Sequence, residues 1–151
     1  MRRMFLAGPF KSLVNSRSGI MSDESITLFS RIIIFFENIG WNVHSAHRRE
    51  NWGKDFMTPD ACTKKDYEEI SRCDCFVAFP GSPVSPGTHI ELGWASALGK
   101  PIIMLLETQK TYAYLVQGLN QITQVEYIEY ENNSINPEII EQAIKRLEKR
   151  G

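Results

Sequence analysis

Apolar and polar residues follow two periods along this chain. Short apolar runs of strand length occupy residues 4–7, 41–45, 75–79, 102–106 and 125–130. Longer stretches with helical spacing separate them. Ile26, Phe29, Ile33 and Phe36 fall on one face of a helix that Ser22, Asp23 and Glu24 start and Gly40 closes. Thr58 caps a second helix, with Pro59 at its first position, that runs to about Arg72 and carries Asp66, Tyr67 and Ile70. Asn136, Pro137 and Glu138 open an amphipathic helix to Lys149. A short helix is predicted over residues 112–119. Residues 10–21 read as a polar loop, and residues 46–57 have no clear period.

Alternating strands and helices predict an α/β class with a parallel sheet and right-handed crossovers. Five strands suit a single flavodoxin-like (Rossmann-like) domain over residues 1–151, with strand order 2-1-3-4-5. Such sheets bind ligands beyond the carboxyl ends of their strands, near the switch point between strands 1 and 3. That rule brings Gly8 to Lys11, His47 to Arg49 and Ser85 to Glu91 together.

The stretch from residue 79 to 101 organises the chain. Pro80, Gly81, Pro83, Pro86 and Gly87 continue neither strand nor helix, so they shape a loop. A helix follows, with Ile90, Trp94, Ala97 and Leu98 as its expected apolar face and Gly99, Lys100 and Pro101 as its end. A helix start offers unpaired N–H groups and about half a positive charge, which suits phosphate. Ser85, Gly87 and Thr88 stand there. Glu91 is expected in the first turn, where the dipole favours an ionised carboxylate and hence a nucleophile. Four residues of helix rise about 6 Å, so a phosphate at Gly87 and a carboxylate at Glu91 can address two ends of one nucleotide.

Composition narrows the class. Of 151 residues, 42% are apolar and 23% charged, as in globular proteins, and the net charge of −1 draws the chain to neither nucleic acid nor acidic membranes. No apolar run has membrane-spanning length. The chain begins Met-Arg-Arg-Met and passes at once into the strand at residue 4, without a secretory-signal pattern. Cys62, Cys73 and Cys75 form no disulfide framework, so a cytoplasmic setting is expected. His44, His47 and His89 do not make a metal set, and no cofactor is expected.

Two motifs, Phe5-Leu6-Ala7-Gly8-Pro9-Phe10 and Ser85-Pro86-Gly87-Thr88-His89-Ile90-Glu91-Leu92-Gly93-Trp94-Ala95, resemble the nucleoside 2-deoxyribosyltransferase superfamily over nearly the whole chain. Residues 42–53, 77–81 and 115–119 narrow the likeness to the CMP and 5-hydroxymethyl-CMP N-glycosidases of mildiomycin and bacimethrin biosynthesis. The resemblance implies that Glu91 attacks C1′ to form a covalent ribosyl-enzyme, which water then hydrolyses. It implies that Asp66 holds the nucleophile and sugar or helps protonate the departing base. Ser85 and Gly87 fall on its phosphate loop. Lys11 falls where related hydrolases carry arginine, so the bidentate fork is lost. Phe5 falls where deoxynucleotide hydrolases carry tyrosine, which leaves room for a ribose 2′-OH. Phe10 is a candidate to stack on the pyrimidine. His47 and Arg48 are candidate contacts to base or phosphate, whereas Arg49 reads as a solvated loop residue and Trp52 and Trp94 as packing. A homodimer or higher homo-oligomer is expected from the same likeness. A deoxynucleotide hydrolase, a deoxyribosyltransferase and a non-catalytic nucleotide sensor are the competing readings.

Overall fold

A computed structural model of the chain describes residues 1–82 and 84–151; Pro83, read above as part of the loop before the central helix, lies outside them. Five strands, β1 (Arg3–Ala7), β2 (Asn42–Ser45), β3 (Cys75–Ala78), β4 (Ile102–Glu107) and β5 (Val125–Tyr130), form one parallel sheet in the order β2-β1-β3-β4-β5. This is the order the alternation of elements predicted.

Alternation along β1 sends Met4 and Leu6 to one face and Phe5 and Ala7 to the other. Met4 and Leu6 join a core with Phe29, Ile32, Ile33 and Phe36 of α1 (Asp23–Asn38) and Ile140, Ala143, Ile144 and Leu147 of α6 (Pro137–Arg150). Phe5 and Ala7 join the opposite core with Ile70 of α3 (Pro59–Arg72) and Leu92 and Ala95 of α4 (Pro86–Ala97). Burial on both faces explains why β1, β3 and β4 read as continuous apolar runs.

Local chemistry sets the helix starts. Ser22, Thr58 and Ser85 each accept a hydrogen bond from the backbone N–H three residues on, and Asn136 accepts from Glu138 N–H. Proline occupies the first position of α3, α4 and α6, where no N–H is needed.

Three expectations change. The segment without a period folds into a four-residue helix, α2 (Ala46–Arg49), then a 3-10 turn, Asn51–Gly53, with Asn51 and Trp52 in the left-handed region. The polar loop after β1 contains a 3-10 turn, Lys11–Leu13, and an antiparallel bridge between Val14 and Met21. The helix over residues 112–119 contracts to α5 (Tyr114–Gln117). The face of α4 also differs: Thr88, Leu92, Ala95 and Ser96 are buried, while Ile90 and Leu98 stand exposed. Apolar residues on both sides of this helix left spacing alone unable to choose its core face.

Candidate active site

The carboxyl ends of β1, β2 and β3 open into a cavity of about 620 Å³. Every sequence-designated residue except Arg48 lines it. Phe5 and Gly8 come from β1 and its end, Phe10 and Lys11 from the following turn, His47 from α2, Asp66 from α3, and Ser85, Gly87, Thr88 and Glu91 from the start of α4.

The start of α4 leaves one backbone amide open to the cavity. Pro86 has no N–H, and the His89 N–H closes on Ser85 O at 3.1 Å. The Thr88 N–H lies 3.5 Å from Ser85 Oγ, and the Ser85 and Thr88 hydroxyls share a hydrogen bond of 3.0 Å. Gly87 N–H is therefore the free amide of this helix start among the described residues. A Cβ added at Gly87 would meet nothing within 4 Å, so the backbone is open to a ligand. Thr88 itself is buried and spends its hydroxyl on the cap.

An aromatic wall also lines the cavity. Phe10 lies 4.6 Å from the His47 ring and 5.0 Å from Phe56, and the Lys11 ammonium sits 5.4 Å over the Phe56 ring. His47 is buried and stacked on Phe29 at 4.2 Å. Its Nε2 donates to Pro9 O at 2.9 Å, because a carbonyl can only accept, and this leaves Nδ1 as an acceptor without a partner among the described residues. Burial lowers its pKa to about 4, so the ring is neutral at pH 7. Gly8 makes this packing possible: a Cβ there would come within 2.9 Å of Phe29 Cζ.

Two carboxyls, Asp66 and Glu91, line the same cavity. Asp66 and Glu91 project from packed helices, α3 and α4, which also meet through the edge of Tyr67 on Trp94 at 5.4 Å. The two carboxyls act on each other: the Asp66 carboxylate pushes the Glu91 pKa up and Glu91 draws the Asp66 pKa down. Burial, then the neighbouring Asp66 charge, raises Glu91 well above the ordinary carboxylate range. Burial also raises Asp66, against the pull of Arg49. These facts correct the expectation of a dipole-ionised Glu91 in the first turn. Glu91 is the sixth residue of α4, beyond the first turn, and desolvation beside a second carboxylate outweighs the macrodipole.

The two adjacent arginines exchange their expected roles. Arg48 turns away from the cavity and forks onto both oxygens of Glu37 at 2.8 and 3.0 Å, with a third bond to Val43 O. Arg49 turns inward and donates to Asp66 Oδ1 at 2.7 Å. Successive residues of a helix point about 100° apart, so α2 separates them. Phe56, Met57, Cys62, Thr63 and Trp94 also line the cavity; Trp94 had been read as packing, and the others lacked a local signal.

Among the described residues, no cluster of three His, Cys, Asp or Glu residues is grouped to hold a metal ion, and no helix is long and apolar enough to cross a membrane.

The model of the nucleoside 2-deoxyribosyltransferase family matches residues 20–137. The solved structure of Clostridium botulinum CMP N-glycosidase, BcmB, is 40% identical, with a TM-score of 0.71 over 93% of this chain and 98% of that one. The solution structure of BlsM is 42% identical, with a TM-score of 0.84 over 99% of this chain and 93% of that one. A 2-desoxiribosyltransferase from Leishmania mexicana shares the fold at 18% identity, with a TM-score of 0.51 over 70% of this chain and 64% of its own. No curated protein matches the sequence. With most of its length under one family description and nearly all of it shared with two solved chains, this chain belongs to the nucleoside 2-deoxyribosyltransferase family.

Proposed function

We propose that this protein is a nucleotide N-glycosidase that hydrolyses CMP or 5-hydroxymethyl-CMP to the free base and ribose 5-phosphate. One observation carries the reading: the carboxyl pair Asp66 and Glu91 lines the same cavity as the open helix start at Ser85 and Gly87. The likeness to a CMP N-glycosidase at 40% identity supports it.

The steps balance on these two residues. Substrate seats its phosphate at Ser85 and Gly87 and its base along the Phe10 wall. The proton of the pair passes from Glu91 to Asp66, freeing the Glu91 carboxylate. Glu91 attacks C1′, the C1′–N1 bond breaks with its electrons on the base, and Asp66 gives its proton to that base. Water then attacks C1′, the bond to Glu91 breaks, and the water's proton returns to the pair. Phe5, buried between His44 and Phe76, presents no hydroxyl to the sugar, which suits a ribose.

The protein works as a homo-oligomer in this reading. Tyr114 and Leu115 of α5 are 88% and 86% exposed, and Ile90 on the cavity wall is 56% exposed. A second copy of the chain would cover such surface. Its three free thiols suit a reducing cytoplasm.

Incubation with CMP, 5-hydroxymethyl-CMP, dCMP and cytidine, followed by chromatography of the free base, tests the activity. Base from CMP or its hydroxymethyl form and not from cytidine is expected. Base mainly from dCMP would make it a deoxynucleotide hydrolase. Binding without base release, even with an acceptor base present, would overturn the enzymatic reading.

A further inference from the structure

We propose that Arg49 is the positioning residue of the Asp66–Glu91 pair, holding Asp66 by one oxygen so that the carboxyl meets Glu91 in a single orientation. This rests on the glycosidase reading above.

The clamp is built from three elements. Arg49 Nη1 donates to Asp66 Oδ1 at 2.7 Å and faces His44 Nε2 at 2.9 Å. Arg49 Nη2 donates to Glu50 Oε2 at 2.5 Å, and Glu50's other oxygen accepts from Met57 N–H at 3.0 Å. A guanidinium only donates, so His44 Nε2 accepts, and its Nδ1–H faces Glu69 at 3.7 Å. Glu69 is in turn held by Lys65 at 2.9 Å. The His44 ring stacks on Phe5 at 5.3 Å. The guanidinium is thus fixed from β2, from the segment after α2 and from α3. Arg49 does not line the cavity, whereas its partners Glu50 and Asp66 do.

The arrangement sets how many protons the pair holds. Two carboxyls in a partly desolvated site are driven to protonate. A doubly protonated pair offers no nucleophile. A permanent cation on Asp66 opposes its protonation and so favours a single proton in the pair, on Glu91. A lysine in the same place reaches Asp66 as a point charge and cannot hold Glu50 and His44 through the same planar fork.

Arg49→Met and Arg49→Lys test this. The methionine variant is expected to lose about 100-fold in kcat on CMP while KM stays within about threefold, since no phosphate contact is lost. The acid limb of its kcat/KM profile is expected to move up by about one pH unit. Arg49→Lys is expected to fall between it and wild type. Carboxyl-carbon NMR titration of the substrate-free proteins is expected to show the Asp66 midpoint rising in the same order. If Arg49→Met does not fold, the lysine variant carries the test. A variant that folds with its pH profile and Asp66 titration unmoved overturns the proposal, whatever its kcat. A wild-type protein that releases no base overturns the glycosidase reading instead, and the titration still decides whether Arg49 governs the pair.

Discussion

Glu91 and Asp66, on neighbouring helices, line one cavity as a carboxyl pair in which the Asp66 charge pushes the Glu91 pKa up and Glu91 draws the Asp66 pKa down. In the proposed mechanism the residue that attacks begins as the acid and its partner as the base. Glu91→Gln is expected to keep the fold and CMP binding while turnover falls by about 10⁴-fold or more, because an amide is a poor nucleophile. Calorimetry of CMP binding beside a base-release assay checks it; normal turnover would sink the mechanism.

Asp66→Asn removes the carboxylate that pushes the Glu91 pKa up. Glu91 should then titrate at lower pH, because the Asp66 charge and hydrogen bond both raise it. The acid limb of kcat/KM is expected to move down, opposite to the Arg49 variants, while kcat falls by about 100-fold for want of a proton relay. A pH–rate series on the two variants separates the roles.

Phe5→Tyr places a hydroxyl on a buried ring that lines the cavity. The ratio of kcat/KM for dCMP over CMP is expected to rise by about tenfold, because the new hydroxyl competes for the space and bonding of a ribose 2′-OH. An unchanged ratio would remove Phe5 from the specificity argument.

Gly8→Ala drives a methyl to 2.9 Å from Phe29 Cζ and 3.3 Å from Phe79 Cβ. Both atoms belong to the packed core, so the cost is expected at about 1–3 kcal/mol in urea unfolding. Phe29 also carries the His47 ring, so CMP affinity should weaken with stability.

Acid should destabilise the fold before ordinary carboxylates titrate. Burial lowers His44 and His47 from the usual 6.5 to about 4. Below pH 6.5 the unfolded chain takes up these protons first, so their stabilisation is complete above pH 6.5 and lost as pH falls through about 4. For buried His47 this is at most about 3 kcal/mol. Glu91, raised above its unfolded value, has the opposite sign: its contribution is complete below the ordinary carboxylate pKa and lost as pH rises through its folded one. Urea unfolding at pH 7 and pH 4.5 should show the histidine loss. His47→Gln, which keeps a donor for Pro9 O and does not titrate, should reduce it.

What was legible in the sequence was local. Thr58-Pro59, Ser85-Pro86 and Asn136-Pro137 announce helix starts because cap and proline act within a single turn. Strand order followed from the alternation of elements, and the loops it brought together do meet. The rest depended on distance. Arg48 and Arg49 are chemically identical, and a segment with no period gave no sign that a helical turn would point them apart. The upward push on Glu91 comes from burial and from Asp66, far away in the chain, so no property of its own helix could reveal it. The exposed Ile90 and Leu98 share apolar character with the buried Leu92 and Ala95, and only packing distinguishes them.

The fork between Arg48 and Glu37 extends the site beyond its own walls. Glu37 lies near the end of α1, exposed to solvent, and its hold on Arg48 anchors the outer side of a helix only four residues long. The inner side of that helix carries Arg49. A substitution at Glu37 would unmoor Arg48, loosen the turn and blunt catalysis without touching a cavity residue. Tolerance to mutation on this surface should therefore be patchy: Arg31 and Ile34, also exposed on the same helix, would accept changes that Glu37 refuses.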